Sequence, residues 1–148
     1  MYDTDAPLYR HYRYIKKENS LYARWFQRRG LSYPLVLVLD EVMLNPEGSE
    51  PTELADALGI PKQTLTGLLD RLERAGYVRR ERSGADRRRT RVFLLPEGEA
   101  FLSRTTDELE ARERAAAAGI DPADMETFNK VYAAIVSGLE KHLFTDFE

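Results

Sequence analysis

The chain has 148 residues, 43% hydrophobic and 32% charged, the composition of a single soluble globular domain rather than a disordered or fibrous chain. It has no cysteine, which excludes disulfides, thiolate zinc sites, iron–sulfur clusters, a cysteine nucleophile and a thiol redox sensor. A net charge of −3 argues weakly against a polyanionic partner, but its distribution reverses that reading.

Residues 62–91 hold ten cations (Lys62, Arg71, Arg74, Arg79, Arg80, Arg82, Arg87, Arg88, Arg89 and Arg91) against four acids, a net +6, so the remainder carries −9. A solvated surface mixes signs because like charges repel, yet Arg87, Arg88 and Arg89 are consecutive. Such an island in an acidic chain is the footprint of a nucleic-acid-binding face.

In chain order, the first residues contain no apolar core of a secretory signal, and the longest aliphatic run, Leu35 to Leu39, is far short of the ~20 residues of a membrane helix. A cytoplasmic protein with no membrane partner is expected. Leu8, Tyr12, Ile15, Asn19, Tyr22 and Phe26 recur at helical spacing over residues 8–28, with Lys16, Lys17, Glu18, Arg28 and Arg29 mostly off that face and Gly30 as the stop.

Ser32 as cap and Pro34 in the first turn open a second helix to about Leu44. On composition alone Leu35 to Leu39 also reads as a buried strand. After a turn at residues 45–49, Thr52 is the expected cap of a short helix over Glu53 to Leu58, ended by Gly59. Pro61 is expected at the first position of the next helix, whose stripe is Leu65, Leu68, Leu69 and Leu72 and whose stop is Gly76.

Two short helices across a tight connection make a helix-turn-helix. Residues 77–82 and 90–94 then read as strands around a loop, Ser83 to Arg89, completing a winged helix. From Pro96 a helix carries Phe101, Leu102, Thr105 and Leu109 on one face and stops at Gly119. Asp121 caps a last helix with Pro122 at its first position and with Met125, Phe128, Tyr132, Ile135, Leu139 and Leu143 as its stripe.

The fold class is therefore mainly α with a small β-hairpin wing. The expected layout is a winged helix-turn-helix DNA-binding domain over residues 33–99, with residues 1–32 and 100–148 forming a helical dimerisation domain. The same terminal stripes could instead close over the chain's own core.

The run Glu53-Leu54-Ala55, Leu58-Gly59, Thr64-Leu65-Thr66, Leu68 to Glu73 and Gly76 to Arg80, followed by Asp86-Arg87-Arg88, Leu94 and Gly98, resembles the MarR (multiple antibiotic resistance regulator) family of transcription regulators. The wing Asp-x-Arg is its most specific part. The layout of the terminal helices matches as well, so the resemblance spans essentially the whole chain. Two departures stand out: Gly67 where the family often has Arg, and Leu95-Pro96 in place of the usual Thr cap. Glycine inside a helix costs up to about 1 kcal/mol, so Gly67 suggests a close approach to DNA or to a neighbouring helix.

The candidate DNA-binding residues are Lys62, Gln63, Thr64 and Thr66 in the first turns of the recognition helix, with Arg71, Arg79, Asp86, Arg87, Arg88 and Arg89. Glutamine pairs with adenine and threonine touches a thymine methyl, although Thr64 and Thr66 also suit a solvated helix surface. By resemblance Arg88 is the wing-tip side chain for the minor groove, oriented by Asp86. Arg79, Arg87 and Arg89 would clamp the backbone. The partners are double-stranded DNA and a second copy, on an inverted-repeat operator, with repression the expected outcome.

The resemblance also implies a small-molecule ligand, and Tyr12, Tyr22, Trp25 and Phe26 would suit a small aromatic effector; packing in the dimer core is the reading they favour over it. No cofactor and no metal is expected, because the two histidines, His11 and His142, lie at opposite ends of the chain. Nucleophile elbow, phosphate loop and metal-ligand motifs are lacking, so an enzyme is not expected. The alternatives are a winged helix used for protein interaction, which the basic island disfavours, and a ligand-insensitive DNA-binding module.

Overall fold

The computed structural model describes residues 3–82 and 89–143, and the loop that holds Asp86, Arg87 and Arg88 lies outside them. The elements are α1 (Pro7–Gln27), α2 (Tyr33–Met43), α3 (Pro51–Ala57), α4 (Lys62–Arg74), β1 (Val78–Arg82), β2 (Thr90–Leu94), α5 (Pro96–Ala117) and α6 (Pro122–Leu143). They form two compact units, Met1–Thr105 and Thr106–Glu148.

In the first unit α2, α3 and α4 bury their apolar faces on one another. Leu35 to Leu39 is helical, and Val38 and Leu39 have no exposed surface. The α4 stripe is buried as its spacing predicts, with Leu65, Leu69 and Leu72 each 1% exposed. Each contributes about 1.5–3 kcal/mol by leaving water. Phe26 at the end of α1 joins this core by stacking on Tyr33, ring centroids 5.2 Å apart.

The helix ends differ from the sequence expectation in detail. Ser32 stands at the cap of α2 but makes no side-chain cap bond, and Pro34 is the second helical residue. The cap of α3 is Glu50 rather than Thr52. Proline at position 51 starts the helix two residues earlier, and the Glu53 carboxylate accepts the Glu50 N–H at 3.2 Å in a reciprocal capping box. Pro61 is the cap of α4, not its first helical residue. Gly59 adopts φ +60°, a left-handed conformation that costs glycine little, and so turns α3 into α4.

Strands β1 and β2 pair antiparallel from Val78 opposite Leu94 to Arg82 opposite Thr90. A one-residue third rung is added by Ser49, which exchanges backbone bonds of 3.0 and 2.9 Å with Val92. The hairpin base is thereby tied to the segment that leads into α3. At its other side, the Leu95 N–H donates to the Tyr77 carbonyl at 2.9 Å. A side chain on Gly98 would collide with that same carbonyl, so the first turn of α5 lies directly on the exit from α4.

In the second unit, α5 ends at Ala117, two residues before Gly119, which does not take a positive φ. Asp121 caps α6 as expected, its carboxylate accepting the Ala123 N–H at 2.8 Å. No described residue of α6 is buried: Phe128 is 53% exposed, Leu139 40% and Leu143 59%. Of its stripe, Met125, Tyr132 and Ile135 are half-buried. No helix among the described residues is long and apolar enough to cross a membrane.

Candidate nucleic-acid interface

Helix α4 buries one side and presents the other. Lys62, Gln63, Thr64 and Thr66 are all exposed on its first two turns, while Leu65, between them in sequence, points into the core. The Thr66 hydroxyl donates to the Lys62 carbonyl at 2.9 Å, one turn back along the helix, and the residue stays exposed. Gly67 is exposed, and a β-carbon there would meet nothing within 4 Å. The neighbouring-helix explanation for that glycine is therefore ruled out within the described chain.

Four described cations of the hairpin, Arg79, Arg80, Arg89 and Arg91, are held by partners. Arg79 lies over the Phe93 ring, 4.8 Å from its centroid, and pairs with Glu81. Arg89, still 64% exposed in its side chain, reaches Glu50 at 3.3 Å, and Arg91 donates to the Glu47 carbonyl at 2.8 Å. Arg71 is not among this group: its place is further along α4, on the wall of a cavity.

Arg80, absent from the sequence candidates, is the centre of the arrangement. Its Nε donates to Glu73 Oε2 at 2.9 Å, its Nη2 to Asp70 Oδ1 at 2.7 Å, and its backbone N–H to Glu73 Oε1 at 3.1 Å. One guanidinium thus bolts β1 to α4 and neutralises the two carboxylates of α4 nearest the hairpin. The bond from Arg80 holds the Glu73 carboxyl below the usual glutamate range, and the same bond raises the Arg80 guanidinium. No sequence periodicity signals this contact, because its partners lie seven and ten residues apart across a turn.

A cavity of about 400 Å³ opens between the α1–α2 connection and the far half of α4. Its wall includes Leu31, Leu35, Arg71, Leu72, Tyr77 and Phe101, the last two stacked at 4.7 Å. None of the four aromatic ligand candidates lines it. Phe26 is 1% exposed in the core, Trp25 packs edge-on against Phe26 beneath the Arg29 guanidinium, Tyr22 stacks on Tyr33, and Tyr12 is 53% exposed. Among the described residues no group of three or more histidine, cysteine or carboxylate side chains could hold a metal ion.

A helix-turn-helix with an exposed polar second helix, completed by a two-stranded hairpin, defines a winged-helix protein. Residues 29–89 match the profile of the MarR family. The chain is 36% identical over 98 residues to the HTH-type transcriptional regulator PecS of Dickeya dadantii, covering 66% of this chain and 57% of that one. It is 37% identical over 90 residues to the HTH-type transcriptional repressor YetL of Bacillus subtilis, covering 59% and 53%. These matches span little more than half the length of either relative.

A crystal structure of a MarR-family transcriptional regulator from Silicibacter pomeroyi superposes with a TM-score of 0.76 at 25% identity, over 90% of each chain. The likeness to the MarR family thus lies in the winged-helix segment, residues 29–89.

Proposed function

We propose that this protein is a transcription regulator that binds double-stranded DNA as a homodimer in the cytoplasm, and that it represses by occupying its operator. The observation that carries this reading is the exposed row Lys62, Gln63, Thr64 and Thr66 beside a cation-rich hairpin. A helix of this kind enters the major groove by its first turns, where Gln63 and the threonines meet base edges and Lys62 a phosphate. Arg79 and Arg89, with Arg87 and Arg88 of the wing loop, supply the salt-sensitive grip on the backbone, and Asp86 orients Arg88. Residues 33–99 are the DNA-binding domain, and residues 1–32 and 100–148 the dimerisation domain.

Two-fold pairing sets two recognition helices about 34 Å apart, which calls for an inverted repeat with half-sites one turn apart. The cavity beside Arg71 suits a small aromatic effector that carries an anionic group, with Tyr77 and Phe101 for its ring. Arg71 belongs to α4 itself, so occupancy there acts on the reading helix directly. The test is a fluorescence-anisotropy titration against the promoter beside the protein's own gene, at several salt concentrations. Tight, salt-dependent binding with a shallower slope for Arg88→Ala is expected; absence of binding at low salt overturns the proposal.

A further inference from the structure

Helix α1 carries a second concentration of positive charge. Residues 10–29 hold seven cations against one acid, Glu18, a net +6. Five of them, Arg10, Arg13, Lys17, Arg24 and Arg28, fall within about 60° of the helix circumference at ~100° per residue. All five are exposed, and none has an ion pair among the described residues. Like charges stacked along one helix face repel, so the row weakens α1 unless something negative lies against it. Beside the row, Tyr14 and Leu21 are 67% and 50% exposed. An apolar strip with a charged margin is the anatomy of an interface.

The opposite surface exists in the same chain. Residues 107–126, from the second half of α5 into α6, hold seven acids against Arg112 and Arg114, a net −5. Three of the acids have i,i+4 partners, Glu108–Arg112, Glu110–Arg114 and Glu126–Lys130 at 3.3, 3.1 and 3.3 Å, all exposed pairs that solvent screens. Next to it on α6, Phe128 and Val131 are 53% and 55% exposed. The charge sign is thus complementary to that of the α1 row, and each surface has two exposed apolar residues beside it.

We propose that the cationic face of α1 docks on the acidic 107–126 segment of a second copy of this chain, and that this charge match makes the dimer select its own kind. The inference rests on the dimer reading and adds what recognises the partner. Each dimer contains the contact twice, so a wrong partner that lacks either sign meets two uncompensated fields. Exposed charge pairs add little affinity one by one, but they decide between partners whose apolar strips are alike.

The test uses two full-length variants, both verified as folded by circular dichroism. In one, Arg10, Arg13 and Lys17 become glutamate; in the other, Glu110, Glu113 and Asp124 become lysine. Light scattering and analytical ultracentrifugation should find wild type dimeric with an affinity that falls as salt rises. Each variant alone should dimerise at least about tenfold more weakly, and an equimolar mixture of the two should restore a heterodimer.

A wild type that is monomeric at every concentration overturns the dimer reading itself. A dimeric wild type whose affinity ignores salt and both reversals overturns only the charge-matching inference. Reversals that leave the dimer intact but weaken binding to bulk DNA also overturn it, because the α1 row then serves a polyanion. If either triple variant is unfolded, the milder Arg13→Gln and Lys17→Gln pair, read by the salt slope of dimerisation, decides the matter in the same way.

Discussion

Arg80 holds Glu73 twice, once through its side chain at 2.9 Å and once through its backbone N–H at 3.1 Å. The double attachment fixes both the position and the tilt of β1 against α4, the two elements that the proposed DNA-binding role uses together. With the hairpin base also bridged to Ser49, strands β1 and β2 are tied both to α4 and to the segment leading into α3.

Replacing Arg80 by alanine leaves Asp70 and Glu73 as unpaired, half-exposed carboxylates. A loss of about 1 kcal/mol of stability is expected, seen as a lower urea midpoint, because solvent screens part of the penalty. Lysine should recover little, since it cannot reproduce the fork. DNA affinity should fall further than stability predicts.

The same pair sets a pH dependence. Glu73 is held below the ordinary glutamate value of 4.5 in the folded state, so its contribution is complete above that pH and is lost as pH falls through the lower, folded value. Urea midpoints measured down the acid limb should therefore fall more steeply for wild type than for Arg80→Ala.

Gly98→Ala places a methyl group against the Tyr77 carbonyl, where backbone cannot yield cheaply. A loss of about 1–3 kcal/mol is expected in thermal or urea melts. Gly67→Ala is the contrasting control: its β-carbon meets nothing, and helix propensity predicts a gain of up to about 1 kcal/mol. If DNA lies close against Gly67, that gain will come with weaker binding.

On the reading helix, Lys62→Ala should weaken DNA binding evenly across sequences and lower the salt slope by about 1. Gln63→Ala should instead cost about 1–3 kcal/mol on the preferred operator and relax selection at one base position, as a binding selection from random duplexes would reveal.

Leu35→Trp should fill part of the cavity. Benzoate, a minimal planar aromatic anion, should weaken the wild-type DNA complex and leave the variant's unchanged, and Arg71→Gln should blunt the response. Equal responses from all three proteins would remove the cavity from the regulatory scheme.

Much of this architecture was legible in the order of residues. Leu65, Leu68, Leu69 and Leu72 announced the buried side of α4, Gly59 the turn before it, and Asp121-Pro122 the start of α6, because each acts within one helical turn. The cap of α3 was misread because Thr52 is the stronger capping residue in isolation, whereas Pro51 fixes the start and Glu50 closes a box with Glu53. Contacts between distant residues left no local trace. Neither the Arg80 fork, the Ser49 bridge nor the cavity has a periodicity, and the charged row of α1 becomes visible only when its residues are projected around a helix.

The crowding between Tyr77 and Gly98, with the Leu95 bond beside it, leaves no slack where the reading helix hands over to the long helix that follows. A hinge needs room, and this joint has none. Strain applied to the opening turn of that long helix is expected to be passed to the end of α4 rather than absorbed at the joint.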